Sequence, residues 1–570
     1  MKYSRLFGRT IKDVPSDATI ASHKFLIQAG FIRESVAGRY FFLPLGQKVM
    51  DKFVKIVEEE MAAIDAQKML IPILQPIELW QETNRDNSGG YELMTVQDRR
   101  GAMFTPGGTG EEMFTDVVRK FQISYKDLPI HIYQFGYKFR DELRSKGGLM
   151  RTREFLMKDS YIFTENNEQF EIEYKRIVDA YVKIFKRVGL DVEVVPADNG
   201  YFGGEYCHEF IIESETGEGK YFVSEDGKYI AHEDIALFKR EDVNPEDKVV
   251  EFEIFEQPDH VRTMDDNVEF YKLPASRFLK NVVYKNRITG KLIIATIRGD
   301  LQVNKNKLEH VLDMVGLLED ATDEDLASFG SKSGYVHSWG YKDYDHVMFV
   351  GDTSLRTVKN FIGGQKEETT DSRNVNYGRD FEHEITADIA LAEDGFLSED
   401  GSKLIGKKGI EVGNTFNLGY FYSDKMKGAR FTDNNGKDEK YYMGSFGIGM
   451  ARTIATAIEV HNDENGMIWP ESIAPYTVSL ISIAKSESDE SYIKAQELYS
   501  SLTEKGIEVL WDDRIETRPG EKFADADLIG IPHRVIVSSR SLENGGFEYK
   551  KRSESDSKVI SEAEVMELLR

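Results

Sequence analysis

At 570 residues the chain is too long for one hydrophobic core, which stops growing near roughly 250–300 residues, so several domains are expected. With 40% hydrophobic and 30% charged residues it reads as a folded chain, and its apolar runs are too short to cross a bilayer. The net charge of −26 excludes a general nucleic-acid coat, and the single cysteine, Cys207, excludes internal disulfides and cysteine-rich zinc sites.

The opening M-K-Y-S-R-L-F-G-R-T lacks an apolar secretion-signal core, so a cytoplasmic address is the simplest reading. Residues 46–64 carry apolar positions at helical spacing, and Leu70–Ile77 reads as a strand interrupted by Pro72. A second amphipathic helix is predicted over Glu168–Val188, followed by a strand in G-L-D-V-E-V-V. Lys220–Glu251, with Y-F-V-S-E-D-G-K-Y and E-D-V-N-P-E-D-K, reads as a linker. Beyond it K-L-I-I-A-T-I-R-G-D is the clearest strand before Leu397. From Pro475, Y-T-V-S-L-I-S-I, a helix over Asp489–Lys505 and G-I-E-V-L-W alternate as strand, helix and strand, predicting a small α/β unit with a parallel sheet.

Two segments carry chemistry. Phe139–Asp159, F-R-D-E-L-R-S-K-G-G-L-M-R-T-R-E-F-L-M-K-D, sets Arg140, Arg144, Arg151 and Arg153 around Gly147 and Gly148 and ahead of Phe155. Arginine forks suit phosphate or carboxylate, and a neighbouring ring can stack on a flat base. An exposed hairpin laced with surface ion pairs has the same composition. Met443–Arg452, M-G-S-F-G-I-G-M-A-R, reads as a glycine-rich strand running into a helix whose N-terminus favours anions. Together, in this order, they point to a nucleotide-phosphate site built without a phosphate-binding glycine loop, and no G-x-x-x-x-G-K-[ST] occurs.

The two segments resemble motifs 2 and 3 of class II aminoacyl-tRNA synthetases. Phe104–Glu112 (F-T-P-G-G-T-G-E-E) is similar to the T-x-E loop of the prolyl enzymes. Ala197–Phe210 (A-D-N-G-Y-F-G-G-E-Y-C-H-E-F), Gly409–Gly419 (G-I-E-V-G-N-T-F-N-L-G) and Asp512–Pro532 also resemble bacterial-type prolyl-tRNA synthetases, so the likeness spans the chain. It implies an α/β, multidomain α+β fold. Residues 1–222 and 399–472 would form an antiparallel-sheet catalytic core, 223–398 an inserted editing-like α+β domain, and 473–570 an α/β anticodon-binding domain. The helix and strand near residues 46–77 would be motif 1, the homodimer interface.

The resemblance also implies ATP with Mg²⁺, proline and tRNA(Pro) as ligands, with no dedicated metal cage. Arg140 would bridge the amino-acid carboxylate and α-phosphate, and Arg452 would hold the γ-phosphate side. Phe155 would stack on adenine, with Glu142, Arg151, Thr152, Glu411 and Asn417 around the nucleotide. Thr109 and Glu111 would engage the secondary amine; Met157, Asp159, Tyr161, His208 and Ser445 would line the pocket. Taken alone, Glu111 also suits a solvated surface, and His208 a structural histidine. Gly108 and Gly110 stand where bacterial relatives have proline and histidine, which implies a roomier pocket.

A pocket cannot sterically exclude alanine, which is smaller than proline. At about 0.8 kcal/mol per methylene, two missing methylenes give only roughly tenfold to thirtyfold discrimination. That shortfall is the physical case for a second, hydrolytic site. Lys280 matches the lysine that holds misacylated tRNA, and Gly334 a glycine of the editing loop. Tyr335 replaces the expected proline, and Asp371 lies nearest the place of the editing histidine. Asp513, Arg514, Arg518, Lys522, Glu548 and Arg552 are the anticodon candidates. A diverged paralogue for another small or cyclic amino acid, and a non-catalytic tRNA-binding regulator, are the competing readings.

Overall fold

The computed structural model describes residues 1–86, 93–341 and 345–569. The elements that place the site begin with α1 (Pro44–Ala62), β1 (Gln67–Lys68), α2 (Glu111–Val118), β2 (Ile130–Phe139), β3 (Glu154–Thr164) and α3 (Asn167–Arg187). They continue with β4 (Glu193–Ala197), β5 (Tyr206–Glu213), β6 (Gly219–Ser224) and β7 (Ile230–His232). A second sheet follows, from β8 (Leu279–Asn286), β9 (Leu292–Arg298), β10 (Leu318–Asp320), β11 (Val347–Asp352) and β12 (Ile385–Ala387). The chain then returns to the first sheet with β13 (Leu404–Gly419), α4 (Phe421–Lys425), β14 (Tyr442–Gly449) and α5 (Met450–Val460). The last unit comprises β15 (Val478–Ser482), α6 (Glu490–Glu504), β16 (Val509–Asp512), α7 (Pro519–Ile529), β17 (His533–Val537), β18 (Phe547–Lys551) and β19 (Lys558–Ile560).

The first sheet runs β7-β6-β13-β14-β3-β2-β1, and β5 bridges β13 to β4. Its pairings are antiparallel except that β1 lies parallel to β2. Alternation splits its side chains between two faces. On one face Tyr133, Ile162, Phe210 and Phe446 join the apolar stripes of α1 (Val49, Phe53, Val57) and α3 (Phe170, Ile177, Ile184) in the largest core. On the other, Tyr161, Cys207, Phe416 and Met443 pack with Phe114 of α2 and Tyr422 of α4. Met157 and Gly447, on this second face, line the cavity described below.

Residues 220–251 are not all linker. β6 and β7 form a hairpin paired through β6 to β13, so the catalytic sheet extends through His232. The linker reading rested on E-D-G-K, which forms the hairpin turn. Leu70–Ile77 yields only the three-residue strand Leu74–Pro76, paired with Met103–Pro106. In the last unit β16-β15-β17 is parallel as expected, but β18 and β19 add antiparallel strands. Among the described residues no helix is long and apolar enough to cross a membrane.

Candidate active site

A cavity of about 860 Å³ opens over the substrate face of β3, β14 and β13. Arg140, Glu142, Arg151, Thr152, Phe155, Met157, Glu411 and Arg452 all line it. The Arg140 guanidinium lies 5.4 Å from the Phe155 ring centroid, and its Nε donates to Gly108 O at 3.3 Å. Arg151 is clasped between Glu142 (2.9 Å) and Glu218 (3.1 Å). Arg452, in the first turn of α5, donates to Met150 O (2.9 Å) and to the Glu411 carboxylate (3.2 Å). At Gly447 a Cβ would stand 2.6 Å from Met157 Cε, so glycine there lets the cavity floor lie flat.

Glu209 and His232 line the same cavity and were not singled out from the sequence: Glu209 stands within the Ala197–Phe210 motif, and His232 lies outside every motif. Burial and the neighbouring Glu411 push the Glu209 carboxyl up to about 8. Burial disfavours charge on His232, but Asp234 and Glu209 outweigh it and hold the imidazole up to about 9. Among the described residues no group of three or more His, Cys, Asp or Glu side chains is arranged to hold a metal by itself.

Deeper on the same face is a buried polar pocket. Thr109 Oγ1 donates to Glu111 Oε2 at 2.6 Å, and Ser445 Oγ to Glu111 Oε1 at 2.8 Å. Tyr161 Oη accepts from Gly110 N (2.9 Å) and donates to Asp159 Oδ2 (3.0 Å). Lys138 (2.9 Å) and Gln134 (3.0 Å) also meet Asp159 Oδ2, while the buried Oδ1 has no hydrogen-bond partner. The carboxylate of Glu111 is wholly buried, which excludes the solvated-surface reading. A Cβ at Gly110 would meet Tyr161 Oη at 2.9 Å and Asp159 Oδ2 at 3.1 Å. The expectation of a roomier pocket fails at this position, because Tyr161 fills the space.

Two sequence assignments fall outside this face. His208 alternates away from it: its Nδ1 bonds Tyr174 Oη of α3 at 2.7 Å, and burial lowers its pKa. Asn417 is fully buried, its amide donating to Tyr442 Oη (2.9 Å) and accepting from Gly419 N (2.9 Å). Strand register, which linear motif matching ignores, sets both orientations.

The model of the tRNA synthetase class II core domain (G, H, P, S and T) matches residues 94–461, and that of the anticodon binding domain matches 477–570. A proline–tRNA ligase of Elusimicrobium minutum is 39% identical over 559 residues, covering 98% of this chain and 96% of its own. One of Fusobacterium nucleatum is 40% identical over 567 residues, covering 99% and 98%. The chain belongs to the proline–tRNA ligase family. The prolyl-tRNA synthetase of Cryptosporidium parvum, solved with halofuginone and AMPPNP, superposes with a TM-score of 0.58 at 15% identity, covering 99% of this chain and 79% of its own. That of Giardia lamblia, with prolyl-adenylate, gives 0.57 at 16%, covering 95% and 73%. Both show the shared fold.

Elsewhere in the enzyme the structure separates residues that the motifs grouped. Lys280 of β8 donates to Gln302 Oε1 (2.7 Å) and Leu301 O (3.2 Å), while its neighbour Asn281, on the opposite face, donates to Val336 O (2.7 Å) beside the Gly334 loop. The sheet therefore stands between Lys280 and Gly334. Asp371 is buried on the strand Thr370–Val375, paired to Phe255.

Four anticodon candidates are held by internal contacts. Asp513 accepts from Ser4 N and Oγ (2.9 and 2.7 Å). Arg514 bridges Asp512 and Asp525, Lys522 donates to Ser482 O (2.8 Å), and Arg552 forks onto Asp463 (2.7 Å twice). Arg518 is exposed and Glu548 half-buried.

Proposed function

We propose that the enzyme forms prolyl-adenylate in the compartment between Glu111 and Arg452, then transfers proline to the 3′ end of tRNA(Pro). The observation that carries this is adjacency: Asp159 of the buried Glu111 pocket pairs across the sheet with Gly447, which lines the arginine-bearing cavity together with Met157. Glu111, ordered by two hydroxyls, offers an anion to the substrate's secondary ammonium. Arg140, anchored at Gly108 beside the T-x-E loop, reaches the substrate carboxylate and the α-phosphate. Phe155 stacks on adenine, and Arg452 takes the far phosphates.

The attacking carboxylate is already an anion, so no protein nucleophile or general base is required. Rate acceleration comes from orientation and from neutralising charge on the phosphate. Mg²⁺ arrives with ATP as part of the substrate and neutralises phosphate charge. Glu411 and Glu209 would supply hard oxygen donors on that side of the cavity, a cation there favouring loss of the proton that Glu209 otherwise keeps to about pH 8.

We assign the motif 1 region to a homodimer interface and the enzyme to the cytoplasm, on the family resemblance. We assign domain limits of 1–232, 233–398, 399–472 and 473–570, the first boundary moved from 222 because the β6–β7 hairpin belongs to the catalytic sheet. With Lys280 and Gly334 on different faces and no histidine at Asp371, we assign weak or absent hydrolysis of Ala-tRNA to the inserted domain. The deciding experiment is pyrophosphate exchange against all amino acids. Proline dependence supports the reading, exchange with another amino acid transfers specificity, and no exchange favours a regulator. Robust Ala-tRNA hydrolysis dependent on Lys280 would refute the editing assignment.

A further inference from the structure

The guanidinium of Arg85 lies beneath the T-x-E loop, outside every motif that located the site, and is buried. Its Nη1 contacts Glu112 Oε1 at 2.8 Å, Tyr422 Oη at 2.6 Å and Glu111 Oε2 at 3.4 Å. The rings of Trp80, Phe202 and Tyr422 stand 5.1, 5.6 and 5.6 Å from its Cζ, forming an aromatic box. Thr83 Oγ1 adds a donor to Glu112 Oε1 at 2.9 Å.

This places two wholly buried carboxylates in successive positions of one helix turn around a single cation. Two adjacent carboxylates out of water do not both stay ionised unaided; they share a proton. Tyr161 faces Glu111, and Lys425 of α4, bound to Thr83 O at 3.0 Å, faces Arg85 and Glu112. The charge of Asp159 is answered separately by Lys138 at 2.9 Å. Among the described residues Arg85 is the cation that contacts both glutamates, with Lys425 facing Glu112 from α4.

We propose that Arg85 is a positioning residue for amino-acid selection: it engages Glu112 so that the Glu111 carboxylate is presented ionised to the cationic amine of the substrate. The inference rests on the reading that Glu111 receives that amine. Arg85 itself touches no reacting atom; it acts through the glutamate pair, and the aromatic box fixes the guanidinium so that it serves both carboxylates.

The test is proline-dependent pyrophosphate exchange from pH 6 to 9 for the wild type, Arg85→Lys, Arg85→Met, Glu112→Gln and the double variant Arg85→Met/Glu112→Gln. In Arg85→Met no guanidinium holds the Glu111 carboxyl ionised, so the KM for proline rises by at least about 30-fold near pH 6.5 and falls again as pH rises, because an unpaired buried carboxylate is costly to ionise. The kcat and the KM for ATP hold within about threefold, since the nucleotide cavity is untouched. Removing the surplus carboxylate in the double variant restores proline KM to within about fivefold of wild type, and Arg85→Lys is intermediate. An unchanged proline KM and pH profile in folded Arg85→Met, or no restoration by Glu112→Gln, overturns the proposal. Where Arg85→Met does not fold, Glu112→Gln alone decides: Arg85 then neutralises Glu111, and proline KM rises at every pH, whereas an unchanged KM overturns it. Absence of proline-dependent exchange in the wild type would sink the activity reading itself.

Discussion

Ser445 Oγ donates to Glu111 Oε1 at 2.8 Å, tying motif 3's glycine-rich strand to the helix that opens at the T-x-E loop. The bond crosses 334 positions of sequence yet lies wholly inside the amino-acid pocket. Hydrogen bonds to charged groups contribute about 1.5–3 kcal/mol, so Ser445→Ala should raise the KM for proline by roughly tenfold to a hundredfold. The KM for ATP should stay near wild type, because Ser445 contacts none of the arginines. Pyrophosphate exchange at varied proline and varied ATP separates the two; an equal rise in both would contradict the assignment.

Gly110 tests whether the altered T-x-E loop is loose or tight. A methyl there would press on Tyr161 Oη, and Tyr161 is fully buried with its hydroxyl already committed to Asp159 and to Gly110 N. Overpacking of this kind costs about 1–3 kcal/mol. Gly110→Ala should therefore lower kcat/KM for proline about tenfold, and Gly110→His, the residue usual in bacterial relatives, by more. A gain of activity in either variant would mean that the pocket is open after all.

The legibility of the chain divides along a physical line. Arg140, Phe155 and Arg452, which line one cavity, were legible because short local spacing and their chemical types carry the signal, whereas Glu111 stood out only through the family resemblance. The long helices α1 and α3 were legible because an apolar stripe repeats every turn. Sheet orientation was not: His208 and Ser445 both lie in motif strands of the same sheet, and only register puts one against α3 and the other against Glu111. Arg85 was invisible because its partners lie 26, 27 and 337 residues away. The internal partners of Arg514 and Arg552 were not legible, because a charge cluster reads alike whether it faces RNA or closes an internal interface.

Asp371 gives the inserted unit a pH signature. Burial pushes its carboxyl up to about 6, against the opposing Ser372 N–H and Lys366. The folded state thus keeps its proton to higher pH than the unfolded chain, whose aspartate ionises near 4. Stability from this group is fully present below pH 4, is lost as pH rises through 6, and totals on the order of 2–3 kcal/mol. Asp371→Asn keeps the acceptor for Ser372 N–H and removes the charge. It should melt higher than wild type at pH 8 by several degrees and equally at pH 4. A destabilised Asp371→Asn at pH 8 would show that the ionised carboxylate is needed.

In the C-terminal unit two neighbouring arginines should separate stability from RNA binding. Arg514 donates to Asp512 through Nε (2.9 Å) and Nη2 (2.7 Å), reaches Asp525 (2.8 Å), and covers the ring of Tyr3 at 4.2 Å. Arg514→Ala removes the arginine that bridges two largely buried carboxylates and covers Tyr3, a loss of about 3 kcal/mol or more. Arg518 caps α7 from an exposed position without a side-chain capping bond, so Arg518→Ala should change stability by less than about 0.5 kcal/mol. If Arg518 meets a tRNA phosphate, its removal weakens tRNA binding and lowers the salt slope by about one unit. Thermal melts and tRNA titrations at two salt concentrations read both quantities. Melting unchanged in Arg514→Ala together with weakened tRNA binding would return Arg514 to the RNA-facing set.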